Sequence, residues 1–180
     1  FCKEIIKDSQ KYVPEFLEDI IKKNLNCIHF IKTPNNQLPL FNGAASLNLN
    51  QIQKYIDNFK PDNKKNSIGG LYKIKHKNHF LFLDIEKPPQ KKFSKSYQSG
   101  PLSFEYYLDG VKIITNSGFG NHISKKAELF SRLTACQSTL TINDTSITNF
   151  EKSEMISKVF GQSIQNSFKS FDIFSKNEGE

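Results

Sequence analysis

Few residue types in this chain could do chemistry, and their spacing narrows the choice. Cys2, Cys27 and Cys136 are scattered, odd in number and without CxxC spacing. That argues against a structural zinc site and against a disulfide framework. His29 falls in a helical stretch, His76 and His79 flank a turn, and His122 follows Asn116-Ser117-Gly118. His122 is the histidine nearest to that polar segment and is kept as a minor ligand candidate. Lysine is the commonest charge. Lys73, Lys75 and Lys77 alternate along one stretch, which predicts a solvated outer strand face. Lys91, Lys92 and Lys95 crowd a loop before a Ser-Tyr-Gln triplet at 96–98 and are the better candidates to contact an acidic polymer.

The formal net charge is +7, and Arg132 is the only arginine. Phosphate-reading surfaces recruit arginine for its planar fork. No basic strand interleaved with aromatics is present either, so a nucleic-acid partner is not expected. The lysine, asparagine, isoleucine and phenylalanine content reads as the coding bias of an AT-rich genome. No apolar run approaches the roughly 20 residues of a membrane-spanning helix.

The elements that must position these residues fall into two halves. Residues 3–32 read as helical, with Pro14 in a first helical turn, acidic Glu15, Glu18 and Asp19 beside it, and Leu17, Ile20, Ile21, Ile28 and Ile31 on one face. A short helix is expected over 51–59, capped by Asn50, and 61–67 reads as a polar linker. The period then changes to two. Leu71–His76 and Phe80–Ile85 read as strands, followed by a Pro/Lys/Gln/Ser loop. Leu102–Leu108, Asp109-Gly110 and Val111–Asn116 form the clearest hairpin, because Asp-Gly suits the type I′ turn. A two-residue loop pairs 108 with 111, 106 with 113 and 104 with 115, which puts Phe104, Tyr106 and Leu108 on the core face and Glu105 away from it. Ser124 caps a helical turn through Phe130. Ser138–Ile142 reads as a further strand closed by Asn143-Asp144. The tail from 156 has spaced apolar residues without a clean period.

Three segments carry a resemblance: Ser96-Tyr97-Gln98-Ser99-Gly100-Pro101-Leu102-Ser103-Phe104-Glu105, then Asn116-Ser117-Gly118, then Gln137-Ser138-Thr139-Leu140-Thr141, with Leu38-Pro39-Leu40-Phe41-Asn42-Gly43 ahead of them. Their order resembles the C-terminal part of the heparinase II/III-like polysaccharide lyases. The resemblance implies an α-helical N-terminal segment, the end of an (α/α) toroid, followed by an antiparallel β-sandwich. It divides the chain into toroid end (1–43), short helix and linker (44–65) and a partial sandwich (66–180), within a longer protein. A chain with about five strands is expected to be marginally stable alone.

The same resemblance implies β-elimination on an acidic, uronic-acid-containing polysaccharide, in a bacterial cell envelope or periplasm. A catalytically inactive glycan-binding scaffold of the same fold is the alternative. The family often has histidine where Ser96 and Gln98 stand, aspartate where Asn116 stands and histidine where Gln137 stands. Serine is no base near neutral pH without an activating partner. Tyr97, beside it, has a suitable hydroxyl and is a minor candidate. Gln98, Asn116 and Gln137 replace the zinc ligands of metal-binding members. Neutral amides are poor zinc donors, so no metal cofactor is expected. The three amides could instead hydrogen-bond one another and keep the shape of the site. Substrate contact is expected from Gln98, Asn116 and Gln137 with Lys92 and Lys95. The oligomeric state has no sequence signature here.

Overall fold

The computed structural model describes residues 2–9, 11–45, 49–61, 66–151 and 163–165. The helical half contains α1 (Cys2–Asp8), α2 (Glu15–Ile31) and α3 (Gln53–Asp57). The helical region expected over 3–32 is divided into two helices just ahead of Pro14, where a first turn is expected. Pro14 is the physical reason: it lacks an N–H and sits extended (φ −58°, ψ 139°) at the cap position of α2, one residue ahead of the first turn. No side chain of α2 whose burial is described is fully buried. The expected stripe is real but half-covered, with Ile20 exposed. Ahead of α3 lies a 3-10 turn, Leu49–Ile52, and Ile52 rather than Asn50 takes the cap position. Ile56 of α3 is fully buried, and its carbonyl lies 2.7 Å from His29 Nε2 on α2.

The second half is one antiparallel sheet in chain order: β1 (Ser67–Ile68), β2 (Leu71–His76), β3 (His79–Asp84), β4 (Phe104–Leu108) and β5 (Val111–Ile114). Asp109 and Gly110 have φ of 52° and 79°, the two left-handed residues of the expected type I′ turn. The neighbouring turn is tied to it, with Asn78 Nδ2 donating to Asp109 Oδ1 at 2.6 Å.

The hairpin register departs from expectation after two pairs, Leu108–Val111 and Tyr107–Lys112. Leu108 faces Val111, but an irregularity between Tyr106 and Tyr107 sets Tyr106 opposite Ile114 rather than Ile113. The buried face is also the opposite one. Glu105 and Tyr107 are fully buried, Phe104, Tyr106 and Leu108 are half-buried, and Val111 and Ile113 are 60% and 54% exposed. Tyr107 joins Phe82 and Phe41 in the core, with Leu71 and Phe80 packed against them. Burying Glu105 is possible because its carboxylate is satisfied. It accepts from Tyr107 Oη (2.7 Å), Thr115 Oγ1 (2.9 Å) and the Asn116 N–H (3.2 Å), and Lys112 Nζ lies 3.6 Å away.

Lys73 also departs from the expected solvated row. It is half-buried on the inner face, and its ammonium donates to Phe30 O at the end of α2 (2.9 Å) and lies 5.3 Å from the Phe82 ring centre. A cation there meets the negative end of the helix dipole. Lys75 and Lys77 are exposed.

After the sheet, α4 (Lys125–Ser131) starts as expected, with Ser124 Oγ accepting from the Ala127 N–H at 3.1 Å. The strand expected over 138–142 is absent. An isolated bridge, Ile142–Thr145, closes the Asn143-Asp144 turn, where both residues have φ of 51°. Ser138 is spent elsewhere, bonding the backbone of Phe104 and the side chain of Asn116. Of the tail, 163–165 are described, and Ile164 bridges Phe150. The rest lies outside the described residues.

Candidate functional site

Three loops meet behind the start of β4, and each carries one of the sequence-predicted amides. Gln98, Asn116 and Gln137 are all buried. They meet through backbone groups rather than through one another. Gln98 Nε2 donates to Gly118 O (3.0 Å) and Ser131 O (2.9 Å), and its Oε1 accepts from the Gly43 N–H (3.0 Å). Gln137 Nε2 donates to the same Ser131 O at 2.7 Å. Ser131 ends α4, so its carbonyl has no helical partner, and the two glutamines fill both of its lone pairs. Asn116 Oδ1 accepts from the N–H and hydroxyl of Ser138, both at 3.0 Å. That fixes the amide's orientation, because the Ser138 N–H needs an oxygen. Asn116 Nδ2 is buried and has no partner among the described residues.

Two glycines permit this convergence. Gly43 closes the Leu38–Gly43 motif at φ 94°, and a Cβ on it would stand 2.7 Å from Ser96 Cβ. A Cβ on Gly100 would meet Gln137 Cγ at 2.8 Å. Any larger residue at either place would force the loops apart.

Ser96 is exposed and touches Gly43. Among the described residues no histidine or carboxylate bonds its hydroxyl. Tyr97 is buried, and its hydroxyl has no partner among the described residues. Burial, and then the negative charge of Asp84, push the phenol well above its ordinary range, so it keeps its proton at any physiological pH. Lys91, Lys92 and Lys95 are exposed on or beside the 3-10 turn Lys91–Phe93. Lys91 lies 4.0 Å from Glu151, and Lys92 lies 4.8 Å from the Phe93 ring centre. His122 is exposed on a separate turn.

Sequence reasoning missed the residues that hold this loop. Arg132 is fully buried. Its Nε donates to Tyr97 O (2.9 Å), its Nη2 to Ser94 O (2.8 Å), and its guanidinium lies 4.0 Å from the Phe150 ring centre. Burial lowers it to about 10, still charged at neutral pH. The signal was present: one arginine among many lysines marks a place where the planar fork is needed. Asp84 is buried as well. It accepts from Asn42 Nδ2 (2.7 Å) and the Glu86 N–H (3.1 Å), and burial outweighs these bonds to raise its carboxyl above the usual range.

The donors here do not fit zinc. The Gln98 and Asn116 oxygens already accept N–H bonds, and none of the three side chains is ionisable. Among the described residues no cluster of three His, Cys, Asp or Glu is assembled. Nor do they include a helix long and apolar enough to cross a membrane. An apolar groove of about 890 Å³ lies nearby, lined by Pro101, Leu102, Phe104, Leu140, Ile142 and Ile147, without an ionisable side chain.

Comparison with known proteins agrees with this scaffold. A family described as heparinase II/III-like, C-terminal, matches residues 60–178. No protein of curated function matches the sequence. Among solved structures, a mutant of the heparan sulfate lyase HepC from Pedobacter heparinus is similar at 18% identity and TM-score 0.60, over 84% of this chain and 28% of that one. A heparinase III gene product is similar at 14% identity and TM-score 0.60, over 77% and 26%. A further heparinase III structure is similar at 15% identity and TM-score 0.55, over 79% and 29%. The chain therefore spans little more than a quarter of the length of these structures.

Proposed function

The chain belongs to the heparinase II/III-like family through its C-terminal domain, and from that premise we propose that it is the C-terminal portion of a lyase acting by β-elimination on an acidic, uronic-acid-containing polysaccharide. In this reading residues 1–43 end a helical toroid, 44–65 link, and 66–180 open the sandwich. The portion described here binds and shapes rather than transfers protons. β-Elimination needs a base beside the substrate carboxylate and groups that neutralise that carboxylate. Ser96 has no activating partner among the described residues, Tyr97 holds its proton, and the three amides do not titrate. Lys92 and Lys95 stand on a turn anchored by Ser94 and Arg132 and supply positive charge toward a uronate. Family lyases work in the bacterial cell envelope or periplasm, and we place this protein there by that resemblance.

A second reading has its own support. The three amides are hydrogen-bonded into place, and none of their side chains is ionisable. That favours a scaffold that binds acidic glycans and does not cleave them.

One experiment separates the two. Full-length protein is incubated with acidic polysaccharides and the ultraviolet absorbance of an unsaturated uronate is followed. Appearance of that chromophore supports the lyase. Glycan binding without it supports the scaffold. Neither binding nor chromophore across uronate-containing polymers sinks both.

A further inference from the structure

The β2–β3 hairpin carries a pair of histidines outside the amide site. His76 and His79 are direct cross-strand partners on either side of the two-residue turn Lys77-Asn78, and both are exposed. Residues directly opposite in an antiparallel pair share one face, with Cβ atoms about 4.5–5.5 Å apart. Imidazole nitrogen binds a first-row metal at about 2.0–2.1 Å. A pair so spaced brings two rings within reach of one ion without moving the backbone.

Two further observations favour chelation. His79 Nδ1 lies 2.7 Å from Tyr106 Oη, and the two rings stack with centres 6.0 Å apart. A ligating imidazole normally has its second nitrogen held by a partner, which fixes tautomer and ring orientation. With Nδ1–H donating to Tyr106, His79 keeps the Nε2 lone pair for a metal. The turn is also held. Besides the Asn78–Asp109 side-chain bond, the Asp109 N–H donates to Asn78 O at 3.1 Å, so the neighbouring hairpin braces the loop between the histidines.

We propose that His76 and His79 form a two-point chelate for a divalent transition-metal ion at the tip of this hairpin. Neutral imidazoles suit Cu2+, Ni2+ and Zn2+, with Cu2+ the tightest in the usual order. Solvent or an anionic group completes the sphere, because the pair supplies only two donors. Lys77, in the turn itself, and Lys75 add positive charge nearby, which disfavours the ion. The site is thus weaker than one built with carboxylates. It is independent of the lyase reading and of the three amide positions.

Titration calorimetry of the full chain with CuCl2, and separately ZnCl2, tests it. One equivalent is expected, with copper tighter. His76→Asn and His79→Asn should each weaken binding at least about tenfold, and Tyr106→Phe by a smaller factor, on the scale of losing a partner of a ligand. The double variant should be no worse than the weaker single, because a chelate fails when either arm is lost. Both histidines are exposed, so far-UV circular dichroism should be unchanged in every variant. His122→Asn should bind like the wild type. No binding by the wild type, equal affinity in His79→Asn, or loss in His122→Asn would each overturn the proposal.

Discussion

The two faces of the sheet make opposite use of polarity. The inner face, against the helical half, buries Phe82 and Tyr107 but also Glu105, Asp84 and much of Lys73. The outer face carries Leu81, Leu83, Phe104 and Tyr106, which are only partly covered, and Val111 and Ile113, which are more than half exposed. Counting apolar residues would assign the core to the outer face. The charged groups of the inner face are tolerated because each has partners: three donors and a lysine for Glu105, two donors for Asp84, and a helix-end carbonyl and aromatic rings for Lys73. Partner supply, rather than hydrophobicity, tells the two faces apart.

The largest expected effect contrasts one aromatic from each face. Tyr107→Ala should cost about 3–5 kcal/mol, as for other buried aromatics. Phe104→Ala should cost about 1 kcal/mol, in line with half-burial. Urea unfolding of the two variants measures the gap, and equal losses would erase the distinction between faces. Next, Glu105→Gln replaces a charged acceptor with an amide and should cost about 2–3 kcal/mol, the scale of hydrogen bonds to a charged group. If that variant were as stable as wild type, the carboxylate would not be what fixes Asn116 and the hairpin. Arg132→Lys keeps the charge but loses the fork, and about 1–2 kcal/mol should go with the second carbonyl contact. Amide exchange should then quicken over 94–99 before it does in the sheet. Uniform exchange would place the clamp elsewhere.

A pH slope is expected as well. Burial, and then the charges of Lys75 and Lys32, lower Lys73 from 10.5 to about 8. Between those values the unfolded chain binds the proton and the folded chain does not, so this group's contribution to stability rises with pH there and is flat below. Lys73→Met removes the titration. The stability of wild type relative to that variant should therefore climb from pH 8 toward 10.5. A difference that stays level would mean the ammonium is better solvated than its three aromatic neighbours imply.

Local chemistry was readable in the sequence. Asp109-Gly110 and Asn143-Asp144 adopt the turns their types favour, and Ser124 caps α4. Turn and cap preferences depend on a residue's own backbone and on neighbours within three positions. What could not be read depends on partners far along the chain. Phe104-Glu105-Tyr106-Tyr107-Leu108 has a bulky group at every place but one, so alternation alone leaves its face open. The choice rests on Thr115, Asn116 and Lys112, and on Phe41 from before the sheet. Lys73 looked solvated because nothing local places Phe30 above it. At the amide site the positions were readable through the order of three motifs. Their hydrogen-bond partners were not, because Ser131 O and Gly43 N–H carry no side-chain signature. The strand expected at 138–142 failed because period two describes residues, not the edge they would need to pair with.

Gln98 and Gln137 hang from one oxygen, the carbonyl of Ser131. That oxygen works as a keystone. A quarter-turn of the Ser131–Arg132 peptide unit would take one hydrogen bond from each side chain at once and also shift the Arg132 carbonyl that receives the Ser99 N–H, while Gln98 would keep its bonds to Gly118 O and the Gly43 N–H. The side-chain NH2 protons of Gln137 should therefore exchange with solvent faster than those of Gln98, although the two residues, 39 positions apart in the chain, share one acceptor.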